Sequence, residues 1–219
     1  VDGAGRLLKL YHPTDGVFTV FDPRHAGAGT KDNGTPFGIF LKTSSRDIGL
    51  RGKNQMELYA NIRNPLEVQG REDLTNTLRK MSPAYDQILQ EHKALDAEYK
   101  KKSSEAMTAL KDFMVSWRAE HKGEDSRKLY DVPEFNELFD AEDIIAKEWT
   151  SKADELSTKA KRILTRTLVD NGYDGVILHN DVGSFGRSTD AYIALNPEQV
   201  KNVTNKAPTR NSDIRYSLK

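Results

Sequence analysis

The chain of 219 residues contains no cysteine. This absence excludes disulfide bonds, thiolate zinc sites and cysteine nucleophiles. An excess of one charge is also missing, because 33 Lys and Arg residues balance 33 Asp and Glu residues. A net charge of zero gives no electrostatic argument for a nucleic-acid or membrane-surface partner. A local charged patch remains compatible with such a partner, since the balance describes only the total.

Long apolar runs are absent as well. No stretch reaches the roughly 18 apolar residues that a membrane helix needs, so no membrane partner is expected. The first residues, VDGAGRLLKL, lack the apolar segment of a secretory signal. They also lack an initiating methionine. We interpret residues 1–5 as a cloning scar or a domain linker, and the chain as a fragment of a larger protein.

Several catalytic sequence motifs are missing. The chain has no glycine-rich phosphate loop of the P-loop or dinucleotide type and no His-Glu-x-x-His pair. His25, His92 and His121 show no metal-ligand spacing, so no metal is expected. His92 lies on the apolar stripe of a predicted helix, where a packed and hydrogen-bonded histidine is the simpler interpretation.

Composition divides the chain into three segments. Residues 6–70 are rich in Gly, Pro, Asn and short apolar runs, and RLLKLYH, FGIFLK and QMELYANIRNPL are typical of strands. Residues 171–216 return to this style, with YDGVIL and AYIALN as apolar runs. Residues 72–170 have a helical pattern. This order predicts an α+β fold, in which a discontinuous β-core of residues 6–70 and 171–216 carries an inserted helical arm of residues 72–170.

The helical arm has two long apolar stripes. Ser82-Pro83 is a good helix start, and the apolar spacing that follows predicts one helix over residues 83–121. The second stripe begins near Phe135 and ends at Gly172, which suits a left-handed C-cap. Two such helices with a short connection predict an antiparallel hairpin. We expect this hairpin to project from the core, as a partner-recognition element or as a lid over a cleft.

His12 is the first candidate for a functional site. It ends an apolar run and is followed at once by the Pro-Thr-Asp-Gly turn of residues 13–16. An imidazole at the rim of a sheet, with the hydroxyl of Thr14 close by, is placed where ligands often bind. The alternative interpretation is a surface histidine at the end of a strand.

The segment GTPFGIFLKTSS, residues 34–45, carries a second group of candidates. Gly38 would let a ligand approach the backbone closely. Phe40 could stack on a flat ring. The strand ends in a hydroxyl-rich turn that includes Ser44. A core strand with a polar turn is the alternative.

A third candidate is Asp190, at the start of the last predicted strand. A carboxylate there can stabilise developing positive charge or accept a hydroxyl proton. Arg187 is close enough in sequence to pair with Asp190 or with a phosphate. The alternative is an ordinary solvated Asp at a strand edge.

Taken in order, six segments resemble a known family. They are LYHPTDGVFTVFD, FGIFLKTSS, ELYANIRNPL, NGYDGVILHN, DAYIALNPEQVKNV and NSDIRYSL. The family comprises the ADP-ribosyltransferase-like domains of phage and mobile-element polyvalent proteins, phage head-associated proteins and polymorphic toxins. The resemblance covers residues 6–70 and 171–216, and the helical arm looks like an insertion.

The resemblance implies a split β-core that binds NAD in a cleft. His12 matches the histidine that orients the adenosine ribose, and Thr14 matches the residue two places after it. Gly38 begins the strand that matches the nicotinamide side. Asp190 or Ala191 falls where the catalytic glutamate is expected. The candidate catalytic residues are therefore Asp190 and His12, and the candidate NAD-binding residues are His12, Thr14, Gly38, Phe40, Ser44 and Arg187.

The chain departs from the family's usual residues at three positions. Pro13 replaces a glycine, and Phe40 replaces the stacking tyrosine, which keeps the ring and loses the hydroxyl. Alignment on YIALNPEQ puts Ala191 at the position of the glutamate, one residue after Asp190. Since adjacent strand residues point to opposite faces, Asp190 could serve only if a bulge or the strand start turns it inward. Glu198 is a more distant substitute.

Two functions from different classes follow. The first is an NAD-dependent mono-ADP-ribosyltransferase, a phage or toxin effector domain that modifies a host macromolecule, expected to be a protein. It would act in the bacterial cytoplasm or after delivery into a target cell. One carboxylate would stabilise the cationic transition state of nicotinamide loss. The second is a catalytically inactive ADP-ribosyltransferase-like module that binds a partner through its helical arm.

Overall fold

The computed structural model describes residues 8–22, 37–45, 54–182, 188–207 and 209–215. Those ranges contain seven strands and three long helices. The strands are β1 (Leu10–Thr14), β2 (Ile39–Lys42), β3 (Asn54–Ala60), β4 (Pro65–Gln69), β5 (Gly175–Val182), β6 (Ser188–Ala194) and β7 (Val200–Asn202). The helices are α1 (Gly70–Met81), α2 (Pro83–Glu120) and α3 (Pro133–Asp170), with short 3-10 helices at Ser126–Asp131 and Pro197–Gln199.

All seven strands form one sheet in the order β4-β5-β6-β2-β1-β3-β7. Neighbouring strands are antiparallel, except for the parallel pair β4 and β5. Strands from the two ends of the chain are interleaved, because β5 and β6 lie between β4 and β2. A mostly antiparallel sheet with separate helices is compatible with the predicted α+β class.

The chain forms two compact units. Unit 1 comprises Val1–Asp86 and Ala160–Lys219, and unit 2 comprises Gln87–Lys159. Unit 1 therefore contains the whole sheet and α1, whereas unit 2 contains most of α2 and α3. By its contacts, the last part of α3 belongs to unit 1, although it lies within the helical arm predicted from the sequence.

Unit 1 buries apolar side chains on both faces of its sheet. On one face, α1 contacts β4 and β5 and buries Leu74 and Leu78. The other face carries a separate cluster of buried residues. Its members are Leu10, Phe21, Ile39, Leu41, Leu58, Ala194, Val200 and Ile214. A sheet covered on both faces holds its strand register firmly, because a slip by one residue would expose both sets of apolar side chains.

Unit 2 is held together by contacts between α2 and α3, two helices that run antiparallel. The indole Nε1 of Trp149 donates to Asp96 at 2.9 Å, and the hydroxyl of Ser103 donates to Glu142 at 3.2 Å. Near the connection, Trp117, Leu129 and Phe135 form a small buried cluster. In the described part of the chain, no helix has the length and apolarity that crossing a membrane requires.

Two strand boundaries differ from the sequence prediction, and each changes the position of a candidate residue within its strand. β1 continues to Thr14, so His12 lies inside a strand and not at its end. Pro13 is tolerated there because its partner Gln55 lies on β3, and β1 has begun to separate from β2. β6 begins at Ser188, so Asp190 is an interior strand residue, and β7 follows later in the chain.

Candidate functional site

The strand register places His12 and Asp190 on the same face of the sheet. Tyr11 pairs with Lys42, and Lys42 pairs with Ala191. Directly paired residues share a face, and successive residues of a strand alternate between faces. Tyr11, Lys42 and Ala191 therefore lie on one face, here called the Lys42 face. His12 and Asp190 lie on the other, here called the His12 face.

His12 is anchored where β1 and β2 separate. Its Nδ1 donates to the backbone carbonyl of Phe40 at 2.8 Å. The backbone N–H of Thr43 donates to Asp190 on β6. Backbone groups of successive residues in β2 point alternately toward β6 and β1, so the carbonyl of Phe40, three residues earlier, points toward β1. The register puts Pro13 opposite Phe40, and proline has no N–H to donate. The imidazole fills that donor position, and its Nε2 is then the acceptor of a neutral ring.

Two phenylalanines from the segment after β1 enclose the His12 ring. The ring centroid of Phe21 lies 5.0 Å away and that of Phe18 lies 6.4 Å away, both in edge-to-face contact. This burial lowers the pKa of His12, although the bond to Phe40 opposes it. His12 is therefore neutral near pH 7. The sequence analysis missed both phenylalanines, whose signal is the apolar spacing of GVFTVF directly after the histidine turn.

A β-bulge in β5 holds the Asp190 carboxylate. The β5–β6 register shifts between Leu178 and Asp181, so His179 and Asn180 both lie opposite Asp190. Asn180 adopts a positive φ of 57° and donates its backbone N–H to Oδ1 of Asp190 at 3.3 Å. Nδ1 of His179 lies 3.2 Å from Oδ2 of the same carboxylate. The Asp190 side chain remains 40% exposed, so a ligand can reach it.

The same bulge decides which acidic side chain reaches which face. It lies in β5 and not in β6, so Asp190 keeps the His12 face. Ala191 is fully buried on the Lys42 face. The extra residue in β5 carries Asp181 to the Lys42 face, where it pairs with Thr189. The acidic group that the bulge turns to the same face as Ala191 is thus Asp181, a residue that the sequence analysis did not select.

Asp181 forms a buried ionic cluster with Lys42 and Arg71. It accepts hydrogen bonds from Nζ of Lys42 and, at 2.8 Å, from Nε of Arg71. The side chains of Asp181, Lys42 and Arg71 are 1%, 6% and 40% exposed, respectively. Burial raises the pKa of Asp181, but the two cations outweigh it and hold that pKa below its ordinary value. A lysine at a buried position of the apolar run GIFLK is the sequence signal for this cluster.

Phe40 lies on the opposite face from His12 and Asp190. Its ring centroid is 5.6 Å from Nζ of Lys42 and 5.8 Å from Cζ of Arg71, within the range of cation–π contacts. The ring therefore packs against the buried ionic cluster. Its predicted stacking on nicotinamide stays a prediction.

Four further candidates were Thr14, Gly38, Ser44 and Arg187. Thr14 lies on the His12 face, and its hydroxyl accepts a backbone N–H of the following turn at 3.1 Å. Gly38 has a φ of +72°, and a Cβ there would lie 2.7 Å from the carbonyl oxygen of Ala194. The glycine thus permits the close approach of β6. Ser44 lies just beyond β2. Arg187 lies outside the described residues.

His179 links Asp190 to β4. Its Nε2 lies 3.1 Å from Oε2 of Glu67, so both ring nitrogens face carboxylates. The hydrogen bond to Glu67 raises the pKa of His179, burial opposes it, and Asp190 adds to the increase. Neither His179 nor Glu67 was a sequence candidate, because only the parallel pairing of β4 and β5 brings them together. Among the described residues, no three His, Asp or Glu side chains are arranged to hold a metal ion.

The His12 face thus offers two kinds of group to a ligand. One is a neutral imidazole whose Nε2 can accept a hydrogen bond from a hydroxyl. The other is an accessible carboxylate, held by two successive residues of a bulge, that can stabilise positive charge. The two groups lie on β1 and β6, which flank β2.

Comparison with known proteins adds a family to this geometry. A family model described as ADP-ribosyltransferase in polyvalent proteins matches residues 2–210. The match includes the helical segment as well as the sheet. Searches of curated proteins and of solved structures found no match.

Proposed function

Because the chain belongs to the family of ADP-ribosyltransferases in polyvalent proteins, we propose that it is an active enzyme that transfers single ADP-ribose groups from NAD. The acceptor is a host macromolecule, with protein as the favoured class. NAD is the substrate, and the domain acts as a phage or toxin effector within a larger protein. The observation that supports this most is the register that places His12 and Asp190 on one face of the sheet.

In this proposal Asp190 is the catalytic carboxylate. The bond between ribose C1′ and the nicotinamide nitrogen breaks, nicotinamide leaves with the electron pair, and positive charge builds on the ribose. A carboxylate beside the ribose stabilises that charge. The acceptor then forms the new bond to C1′ and gives up its proton to the carboxylate or to water.

His12 is the proposed ribose-orienting residue. The bond from Nδ1 to Phe40 fixes the ring plane and leaves Nε2 to accept a hydrogen bond from a ribose hydroxyl. Thr14, two residues after His12 on β1, is a proposed NAD contact, as are Ser44, just beyond β2, and Arg187. Phe40 lies on the opposite face of the sheet from His12. For Phe40 and Gly38 to contact nicotinamide, the dinucleotide would have to extend from the His12 face to the Lys42 face at the point where β1 and β2 separate.

We assign unit 1 as the discontinuous ADP-ribosyltransferase core. Its strands come from both ends of the chain and form one sheet. Unit 2 is proposed to be an inserted helical hairpin, which the antiparallel contacts between α2 and α3 support. Its proposed role is recognition of the partner or acceptor.

The proposal is tested by replacing the carboxylate. Asp190→Asn keeps the size of the side chain and removes its charge, so we expect nicotinamide release from NAD to fall by roughly 100-fold or more. Asp170→Asn is the matched control, since Asp170 is an exposed residue at the end of α3. Nicotinamide is measured by chromatography, and labelled ADP-ribose is followed into proteins of a bacterial lysate. No release by the unaltered chain, or equal release by Asp190→Asn, would overturn the proposal.

One observation favours a second candidate function, an inactive binding module. Ala191 is fully buried on the Lys42 face, so the position aligned with the family's glutamate presents no carboxylate there. In that case unit 2 would make the functional contact. The module would show no nicotinamide release, and its partner would no longer be captured after deletion of Gln87–Lys159.

A further inference from the structure

Asp190 is contacted by groups to which the proposed mechanism assigns no role. The backbone N–H of Asn180 and Nδ1 of His179 bind its two carboxylate oxygens separately. Nε2 of His179 in turn contacts Glu67. This series of Glu67, His179 and Asp190 crosses three neighbouring strands, β4, β5 and β6, on the His12 face. We call it the carboxylate–imidazole bridge.

The bulge that presents the bridge is fastened from both sides. Asn180 donates from Nδ2 to Oε1 of Gln69 on β4 at 3.0 Å. Its Oδ1 accepts from the hydroxyl of Ser188 on β6 at 3.3 Å. These bonds fix a residue with a left-handed backbone, a conformation that Asn tolerates better than most residues. The neighbouring His179 is therefore held on a defined backbone, next to Asp190.

The ring of His179 satisfies both carboxylates only when it carries two protons. Ionised carboxylates accept hydrogen bonds and cannot donate them. A neutral imidazole has one N–H, so it could donate to Glu67 or to Asp190, but not to both. The observed pair of contacts, at 3.1 Å and 3.2 Å, fits the imidazolium ion.

We propose that His179 is a positioning residue for Asp190, and that Glu67 holds His179 in the doubly protonated form that bridges the two carboxylates. This inference rests on the proposed function, in which Asp190 stabilises the ribose cation. The bridge fixes the carboxylate in one orientation before the substrate binds, and it leaves the rest of the side chain exposed. Preorganised charge of this kind requires no reorganisation during the reaction.

The bridge also makes the activity depend on pH. In the described part of the chain, the titratable groups that face His179 are Glu67 from β4 and Asp190 and Tyr192 from β6. Burial raises the pKa of Tyr192, as do the charges of Asp190 and Glu67, so its hydroxyl stays neutral near pH 7. The charged cluster around Asp181 lies on the Lys42 face. As pH rises through the elevated pKa of His179, one of the two bonds is lost, and activity should decline.

A matched pair of variants separates the two halves of the bridge. His179→Asn places an amide donor near the position of Nδ1, so it can keep the bond to Asp190 and lose Glu67. His179→Gln reaches the position of Nε2, so it keeps Glu67 and loses Asp190. We expect kcat for nicotinamide release to fall by roughly 10- to 100-fold in His179→Gln, with KM for NAD little changed, and to fall less in His179→Asn. Equal kcat values in the two variants, or an alkaline limb of the pH profile that survives in both, would overturn the inference.

A second measurement does not depend on turnover. The ring of His179 is titrated by NMR in the full chain and in Glu67→Gln and Asp190→Asn. We expect its midpoint to lie above the ordinary histidine value and to fall in both variants. A midpoint that does not respond to Asp190→Asn overturns the bridge even if NAD is turned over. A chain that shows both shifts but releases no nicotinamide keeps the bridge and loses the proposed function.

Discussion

His12 and His179 lie on the same face of the sheet, but their environments favour opposite charge states. Burial beside Phe18 and Phe21 lowers the pKa of His12. The carboxylate of Glu67 raises the pKa of His179. The neutral, hydrogen-bond-accepting form of His12 is therefore favoured, whereas the charged form of His179 is favoured by its two carboxylates. The distinction between the two rings comes from their neighbours, since both begin from the same ordinary value.

The opposite shifts predict opposite pH dependence of stability. For His12 the unfolded chain binds more protons than the native state, so the contribution of His12 to the free energy of unfolding is lost as pH falls below about 6.5. For His179 the native state binds more protons, so its contribution is complete below about pH 6.5 and is lost as pH rises through the raised pKa. Urea unfolding from pH 5 to 8 would measure both effects. We expect His12→Asn to reduce the slope of the free energy of unfolding against pH on the acid side, by up to about 1.4 kcal/mol per pH unit. We expect His179→Asn to reduce that slope near neutral pH. Unchanged slopes would contradict this.

The sequence could identify single residues only where a local motif surrounds them. His12 and Asp190 were selected from a turn and from a strand start, and the register places both on one face. The residues that contact Asp190 could not be found from local motifs. Glu67 lies 112 residues from His179 in sequence, and no spacing rule connects two residues that meet only through strand pairing.

At the level of elements, β2 and β5 share a buried ionic cluster. Asp181→Leu would leave the ammonium of Lys42, which is 6% exposed, without its carboxylate. Breaking one partner of a buried pair costs about 3–5 kcal/mol, because an uncompensated charge stays inside. We expect that loss for Asp181→Leu, and a smaller loss for Arg71→Gln, because Arg71 is 40% exposed.

The double variant Lys42→Met with Asp181→Leu is the control for that prediction. Replacing both charges by apolar groups removes the unpaired ion, so most of the lost stability should return. The free energies of unfolding from urea titrations give the coupling between the two sites. Additive losses in the double variant would show that the pair does not act as one unit.

Helix ends were predictable from sequence, whereas the sheet around the site was not. The expected helix over 83–121 is found as α2, and Gly172 ends its helix in the predicted left-handed conformation, with a φ of +83°. These signals are local. QMELYANIRNPL has the pattern of a strand, but the structure divides it between β3 and β4, and Pro65 begins β4, whose partner β5 lies more than a hundred residues later. The bulge at Asn180 has no glycine or proline to mark it.

At the level of the whole molecule, the two units have separate cores. The buried cluster of the sheet belongs to unit 1, and the cluster of Trp117, Leu129 and Phe135 belongs to unit 2. The ends of unit 2 are close together, because Nζ of Lys159 lies 3.5 Å from Oε2 of Glu91. A short linker can therefore replace Gln87–Lys159.

We expect the chain with a Gly-Ser linker in place of Gln87–Lys159 to unfold in one cooperative transition and to release nicotinamide from NAD. Its transfer of ADP-ribose to lysate proteins should fall, because the proposed recognition element is gone. Circular dichroism during urea titration and the two activity measurements test these outcomes. A shortened chain that lacks a cooperative transition would show that unit 1 depends on unit 2.

NAD binding at the His12 face is tested most directly by a crystal structure of the Asp190→Asn variant with NAD, since this variant should bind the dinucleotide without consuming it. We expect Nε2 of His12 about 3 Å from a hydroxyl of the adenosine ribose, and the side chain at position 190 beside the nicotinamide ribose. NAD bound on the Lys42 face, against Arg71 and without contact to His12, would contradict the proposed site.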